Sequence, residues 1–172
     1  MFAKGDYIIY GNSGVCRVDE IGTPAGVASA DEGRIYYTLT PVYGTGTIYI
    51  PVDGKVFMRP VISRDEAERL IDRIPEIRED TCEHRDQKLL ANHYKSFIQS
   101  HECEDLVQLI KSIYARNQYM IRNGKKAGTT DRQYMKKAEE LLHGELSVVL
   151  ELSLEEVPAY IARRLEENGR MG

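Results

Sequence analysis

The sequence lacks the long apolar segments of membrane-spanning and exported proteins. Its 172 residues are 42% hydrophobic and 29% charged, as in a globular protein. The longest apolar stretches, such as Val148-Val149-Leu150, are far too short to cross a bilayer. Residues 1–6 contain no apolar core of the kind found in export signals. We therefore expect a cytoplasmic protein that makes no membrane contact.

Cysteine is also scarce. Cys16, Cys82 and Cys103 form an odd and widely separated set, which argues against a disulfide framework. Cys82-x-His84 and His101-x-Cys103 together offer four possible zinc ligands. Structural zinc sites usually place paired ligands about two to four residues apart, so these single-residue gaps favour free thiols and surface histidines. No metal is predicted, and zinc remains the weaker alternative.

No motif of a known catalytic centre is present. The glycine-containing segments lack the spacing and the Lys-Ser/Thr pair of a phosphate-binding loop, and His-Glu-x-x-His does not occur. The histidines, His84, His93, His101 and His143, are scattered, and none lies in a nucleophile motif. We predict a protein that is not an enzyme and needs no cofactor or small-molecule substrate.

The first part of the chain has the pattern of a small β-structure. Segments rich in β-branched and aromatic residues are separated by Gly, Pro and Asp. Strands are predicted at residues 7–10, 15–18, 34–39, 45–50 and 58–61. Residues 22–33, which are rich in small side chains, are predicted to form a loop. Strands this short predict a strongly bent SH3-like or Tudor-like β-barrel over residues 1–62.

From Ser63 onward the apolar residues follow a helical period. Ser63-x-x-Glu66 is a capping box, and the short helix that it begins should end near Pro75. An acidic connector follows this helix. Residues 63–83 are therefore predicted to link the β-barrel to a second domain.

Residues 84–172 are predicted to fold as an all-α helical bundle, which makes the whole chain α+β. Apolar residues recur at i, i+3, i+4 and i+7, the spacing of one helix face. Thr130 or Asp131 should cap one helix. Glu145 falls on an apolar face, where an ion pair with a nearby Arg or Lys is favoured. The predicted stripes contain Leu90, Tyr94, Phe97 and Ile98; Leu106, Leu109, Ile110, Ile113, Tyr114 and Ile121; and Tyr134, Ala138, Leu141, Leu142 and Val149.

The net charge of −4 hides a strong segmentation. Residues 85–137 contain eleven Lys/Arg and five Asp/Glu, a net charge of +6. Residues 64–84 carry −4 and residues 138–172 carry −5. A basic block between acidic segments suits a phosphate-binding surface. Lysines that only keep helices hydrated give the same pattern, so charge alone leaves both interpretations open.

The segment Thr47-Ile48-Tyr49-Ile50 has the alternation of a strand. Its two isoleucines should point to one face, and Thr47 and Tyr49 to the other. If this strand lies at an edge, its unpaired backbone groups can accept a strand from a partner protein. An internal strand without a partner has the same pattern, so both placements remain open.

Several segments occur in a recognisable order along the chain. They are Phe2 to Tyr10 followed by Gly14-Val15, then Ile48-Tyr49-Ile50-Pro51, Arg59-Pro60-Val61, Tyr94-Lys95, the helix from Leu106 to Tyr114, and Leu141 to Leu146. This ordered set, which extends from residue 2 to about residue 167, resembles the CarD family of bacterial transcription regulators. No single motif is decisive.

The resemblance implies a non-enzymatic regulator with two interaction surfaces. The N-terminal domain would be a Tudor-like RNA-polymerase-interacting domain, also found in the transcription-repair coupling factor, that pairs an edge strand with the polymerase β subunit. The helical domain would contact promoter DNA at the upstream edge of the bubble, largely independently of sequence, and would affect open-complex stability. The implied protein contacts are Thr47, Ile48, Tyr49, Ile50 and Pro51. The candidate DNA contacts are Leu90, His93, Lys95, Lys111, Arg122, Lys125, Lys126, Arg132 and Lys136.

The chain departs from the family pattern in both domains. Many members carry a tryptophan four residues before the Tyr-Lys pair at 94–95, where this chain has Leu90 and contains no tryptophan at all. Leu90 can act as an apolar wedge against DNA or belong to the helical core. Asn92-His93 stand where the family tends to be basic, and Tyr49 stands where some relatives have arginine. These departures keep an alternative open: an adaptor that binds the polymerase or another protein without significant DNA binding.

Overall fold

The computed structural model describes residues 1–24, 33–80 and 86–171. The chain divides into two units, Met1–Ile62 and Ser63–Gly172. The first unit is a β-sheet and the second consists of helices, so the predicted α+β class is confirmed.

In the described part of the chain, the N-terminal unit is a five-stranded antiparallel sheet with strand order β4-β3-β2-β1-β5. Its strands are β1 (Tyr7–Tyr10), β2 (Val15–Gly22), β3 (Tyr36–Pro41), β4 (Ile48–Pro51) and β5 (Met58–Pro60). The predicted barrel is not confirmed, because β4 and β5 lie at opposite edges and the described sheet stays open. Closure into a barrel would require backbone pairing between β4 and β5, but among the described strands β4 pairs with β3 and β5 pairs with β1. The loop predicted at residues 22–33 lies largely outside the described residues.

One face of this sheet forms a small hydrophobic core. The most deeply buried side chains, at most 2% exposed, are Ile8, Cys16, Val18, Tyr37 and Leu39. Ile48, Ile50 and Met58 from the two edge strands pack against them. Gly14, at φ +81°, reverses the chain between β1 and β2 in a conformation that other residues rarely adopt.

Among the described residues, the C-terminal unit has five helices. They are α1 (Arg64–Arg73), α2 (Gln87–Gln99), α3 (Cys103–Arg122), α4 (Thr129–Leu150) and α5 (Glu156–Met171). The predicted capping box begins α1: Ser63 Oγ accepts from the Glu66 N–H at 3.0 Å, and the Glu66 carboxylate accepts from the Ser63 N–H at 3.2 Å. A 3-10 turn, Ile74–Glu76, follows α1. Helix α1 packs against α4 and α5 and so belongs to the helical unit by its contacts.

Asp72 of α1 holds α5 in place. Arg164 donates two hydrogen bonds to its carboxylate, from Nε at 2.6 Å and from a terminal nitrogen at 2.9 Å. Asn168 donates a third at 2.7 Å. The bonds from Arg164 lower the pKa of Asp72, and the bond to Asp72 raises the pKa of Arg164.

Most of the predicted helical stripes face the core of this unit. The most deeply buried of these residues, no more than 1% exposed, are Leu90, Leu109, Ile113 and Ala138. Tyr114 and Ile121 differ, since they are 59% and 58% exposed. Their predicted place in the buried stripe is therefore wrong. They lie on a flank of α3 that the neighbouring described helices leave uncovered.

One buried carboxylate joins three helices. Asp131, in the first turn of α4, is 2% exposed. It accepts a hydrogen bond from the Tyr94 hydroxyl of α2 at 2.7 Å and from Nε of Arg116 in α3 at 3.1 Å. The predicted capping of α4 by Thr130 or Asp131 is wrong: the N-cap is Gly128, and no described side chain caps it. The carboxylate of Asp131 bonds to other helices and not to its own helix end.

The described cysteines, Cys16 and Cys103, are buried thiols that form no disulfide. Burial raises the pKa of Cys16 to about 11, which keeps this thiol protonated. Cys103 lies 3.2 Å from the carboxylate of Glu145, which is 1% exposed and accepts its hydrogen bond. Cys82 and His84, two of the four possible zinc ligands, lie outside the described residues.

Within the described ranges, no helix combines the length and the apolar character needed to cross a membrane.

Asp131→Ala should lower the free energy of unfolding by about 3 kcal/mol, because it removes the partner of Arg116 and Tyr94 inside the bundle. Chemical denaturation of the full chain measures this change. Glu140→Ala in the same helix is the control: its side chain is 57% exposed and lies 4.0 Å from Lys136. That variant should change stability by less than about 0.5 kcal/mol. Equal losses in the two variants would contradict the role given to Asp131.

His143 should make stability depend on pH. Burial lowers the pKa of His143 below its ordinary value of 6.5, against a smaller opposing effect of Glu139. The folded chain therefore binds this proton less readily than the unfolded chain, and stability should fall as the pH drops from 6.5 through the folded-state pKa. His143→Gln should flatten the curve of unfolding free energy against pH below about 7. An unchanged slope in this variant would rule the explanation out.

Candidate functional site

Strand β4 lies at an edge of the N-terminal sheet. It pairs antiparallel with β3, with Tyr49 opposite Thr38. No other described strand lies on its far side. The sequence left open whether this strand is internal or lies at an edge, and in the structure it lies at an edge.

The register determines which backbone groups of β4 face outward. The Val52 N–H donates to the Ile35 carbonyl at 3.0 Å. Hydrogen-bonded pairs alternate along an antiparallel ladder, so the N–H and C=O of Tyr49, three residues earlier, point away from β3. Pro51 has no N–H, and its carbonyl accepts a bond from the Gly54 N–H at 2.9 Å. The open border of β4 therefore centres on the backbone of Tyr49.

The side chains of β4 separate by face. Ile48 and Ile50 are half-buried against the core. Thr47 and Tyr49 are exposed, Tyr49 by 44%, on the opposite face. This is the alternation expected from the sequence. Ile48 and Ile50 thus support the sheet, whereas Thr47 and Tyr49 present surface to a partner.

A shallow cavity of about 310 Å³ lies beside Tyr49 on the outer face. Tyr49, Thr38 and Glu20 occupy paired positions on three successive strands and form one row across this face. The cavity is lined by Glu20, Ile21, Gly22, Thr23, Pro24, Thr38 and Tyr49. A strand added to the border of β4 would place side chains next to this row.

The helical unit has a surface almost without negative charge. Residues 106–138 contain eight Lys/Arg and a single carboxylate, Asp131. Because Asp131 is 2% exposed and bonded to Arg116, it contributes little negative potential at the surface. The overall charge of −4 therefore does not describe this part of the molecule.

Three predicted DNA contacts have structural roles instead. Leu90 was expected to be either an apolar wedge against DNA or a core residue. It is 1% exposed, which supports the core role, because almost none of its side chain is at the surface. His93 is hydrogen-bonded to Asp80 and packs edge-on against Phe97, with ring centroids 5.3 Å apart. The sequence could not show the burial of Leu90 or the bond to Asp80, since both depend on which segments pack against α2, whereas His93 and Phe97 are neighbours four residues apart on α2 itself.

Lys111 is the third predicted DNA contact with a structural role. Its ammonium donates to the backbone carbonyls of Ile74, at 2.7 Å, and Ile77. These carbonyls lie in and after the turn that ends α1. Lys111 therefore satisfies carbonyl groups at the end of a helix, and a phosphate contact would compete with these two bonds.

The other predicted cations are exposed. They are Lys95, Arg122, Lys125, Lys126, Arg132 and Lys136. Lys136 lies 4.0 Å from Glu140, a solvent-exposed pair of little strength. The remaining five make no ion pair with any residue that the structure describes. Four of them lie between Arg122 at the end of α3 and Arg132 near the start of α4.

The backbone fixes the turn that carries these four cations. The Lys125 N–H donates to the Met120 carbonyl at 2.8 Å, and the Gly124 N–H donates to the Ile121 carbonyl at 3.0 Å. Gly124 has φ +73°, the left-handed conformation that ends many helices. Because no described side chain caps α4, its first N–H groups add positive partial charge next to this turn. The arrangement suits electrostatic binding of phosphates.

Sequence reasoning also missed a set of exposed apolar side chains on α3. Tyr119 is 66% exposed, and Tyr114 and Ile121 are exposed nearly as much. The exposure of Tyr119 could have been predicted from the sequence, since this residue lies outside the helical spacing of the buried stripe. Among the described residues, no group of three His, Cys, Asp or Glu side chains is arranged to hold a metal.

Comparison with known proteins identifies the N-terminal unit. Residues 2–62 match the family described as the CarD-like/TRCF RID domain. This match covers the unit with the open border of β4 and confirms the predicted resemblance there. No curated protein matches the chain.

Proposed function

We propose, from the match of residues 2–62 to the CarD-like/TRCF RID domain, that the protein is a transcription regulator. It would bind the RNA polymerase β subunit and contact promoter DNA near the melting fork. A domain of this family is a protein-interaction domain and not a catalytic one. The proposed function needs no catalytic residue and no cofactor. It places the protein in the cytoplasm, where the polymerase acts.

The observation that carries the polymerase contact is the open border of β4. Its Tyr49 N–H and C=O point away from the sheet, and the exposed side chain of Tyr49 lies beside them. An extended segment of the β subunit would add a strand here, with hydrogen bonds to the Tyr49 backbone and side-chain contacts on its ring. Thr47 and Pro51 flank this contact, while Ile48 and Ile50 hold the strand on the core.

The DNA contact is supported by the basic surface of α3 and α4. Arg122, Lys125, Lys126 and Arg132 are exposed on a part of the chain whose one carboxylate is buried. Contacts of this kind reach phosphates and carry no base readout, so binding is expected to be largely independent of sequence. If this surface binds the melted promoter better than the closed one, it shifts promoter opening by that difference in affinity.

An adaptor that binds the polymerase without significant DNA contact is the second candidate. The burial of Leu90 and the internal bonds of His93 and Lys111 support it, because they engage three of the nine predicted DNA contacts within the helical unit. The two functions differ in their response to changes in the basic surface. Only the first loses its effect on promoter opening when these cations are replaced.

Tyr49→Glu should weaken binding to the isolated β-subunit lobe by at least about tenfold, because a carboxylate would be desolvated beside the added strand. Binding is measured by titration of the lobe with the full chain. Phe57→Glu is the matched control, an aromatic side chain exposed to a similar extent, 41%, next to the opposite edge strand β5. It should leave binding unchanged.

A backbone variant tests strand addition itself. Tyr49→Pro removes an N–H that points away from β3, so the β3–β4 ladder keeps its hydrogen bonds. Circular dichroism should report an intact fold, and binding of the lobe should be weaker than for Tyr49→Ala. Binding of Tyr49→Pro equal to that of Tyr49→Ala would mean that the β subunit contacts only the side chain.

Replacing Arg122, Lys125, Lys126 and Arg132 with Gln should weaken binding to forked promoter DNA and flatten its salt dependence. Each lost phosphate contact should reduce the slope of log affinity against log salt by about 0.9. Arg163→Gln is the control, an exposed arginine of α5 in the acidic C-terminal segment. A wild-type slope near zero would favour the adaptor.

A further inference from the structure

Three large apolar side chains are exposed on the last turns of α3. Tyr114, Tyr119 and Ile121 are 59%, 66% and 58% exposed. Neither tyrosine ring pairs with another ring among the described residues, and neither hydroxyl makes a hydrogen bond there. Exposed apolar side chains that stand singly are ordinary on a protein surface, but these three lie on the same helix as the exposed cation Arg122 and directly before Lys125 and Lys126.

Helical spacing places these side chains around a cation. Arg122 follows Tyr119 by three residues and is its neighbour on the helix surface. Ile121 follows Tyr114 by seven residues, two turns along the same flank. Gln118 lies between the two flanks. The solvent face of α3 therefore presents two separate apolar positions with Arg122 between them.

The charge of the surroundings limits the chemistry of the occupant. From residue 106 to residue 138 no exposed carboxylate occurs, and Lys125 and Lys126 continue the positive surface directly after α3. The occupant must therefore be an anion that also offers flat apolar faces. A nucleic acid has both, but in a duplex the bases stack on one another and hide their faces, whereas an unpaired strand exposes them.

We propose that α3 binds an unpaired nucleic acid strand, with Tyr119 and Tyr114 stacking on bases and with Arg122, Lys125 and Lys126 contacting the flanking phosphates. The inference deepens the proposed function and rests on it, because it assigns the melted strand to this surface. An acidic amphipathic helix suits the surface less well. Such a helix needs one continuous apolar groove, and here Gln118 and Arg122 separate the apolar positions.

The test compares single-stranded and duplex probes on the full chain. Tyr119→Ser should weaken binding of a labelled oligothymidine of about 12 nucleotides by about tenfold, while binding of a duplex of the same length changes by less than about twofold. Tyr114→Ser should act in the same direction. Fluorescence anisotropy gives both affinities. The control is Tyr43→Ser, a tyrosine of the β-unit that is 51% exposed, and it should change neither affinity.

A reporter variant separates stacking from charge. The chain contains no tryptophan, so Tyr119→Trp provides a single indole fluorophore at the proposed stacking position. Its emission should be quenched by oligothymidine and not by the duplex, and this variant should keep the single-strand affinity that Tyr119→Ser loses.

Every other outcome contradicts the proposal, and the pattern of affinities shows which part of it is wrong. If Tyr119→Ser loses the same affinity for both probes, or loses none for either, then Tyr119 does not stack on bases. The proposed DNA contact would still hold if binding depends on salt. Salt-independent binding of both probes, or no binding, removes the proposed DNA contact as well. If Tyr119→Ser changes only the affinity for RNA polymerase, the surface belongs to a protein partner and the strand-binding proposal is wrong.

Discussion

The helical unit depends on one buried carboxylate. Asp131 joins α2, α3 and α4 by accepting from Tyr94 and Arg116. The same two bonds take the sole acidic group between residues 106 and 138 out of contact with solvent. Packing and surface potential are therefore coupled. The interaction that fixes the relative positions of three helices also leaves the outer surface of α3 and α4 without a compensating negative charge.

The two units offer different kinds of recognition. The sheet offers backbone groups at an edge, which pair with any extended chain, and the helices offer cations, which bind any phosphate. In the proposed function, neither surface alone would select a promoter. In the proposed function, selectivity comes from their covalent linkage, because a sheet bound to the polymerase raises the effective concentration of the basic helices near the DNA that the enzyme has engaged.

The sequence predicted the features that depend on neighbouring residues. The capping box of Ser63 and Glu66 and the alternation around Tyr49 involve side chains a few positions apart, and the structure has both. It did not predict the open sheet, the carbonyl contacts of Lys111 or the exposure of Tyr114. These depend on how far strands curl and on which segment covers which helix flank. Periodicity identifies an apolar flank but not whether a second element reaches it.

The brevity of β4 limits what its border can hold. The strand has four residues, it ends in a proline whose carbonyl is already engaged, and one residue, Tyr49, points both backbone groups outward. Two hydrogen bonds of this kind contribute about 1–3 kcal/mol together. From the described sheet, a second copy of the chain could offer in return only this border or the edge of β5, which has three residues, so growth into fibrils by edge-to-edge pairing is disfavoured. Durable attachment requires a partner whose own side chains cover the ring beside that border.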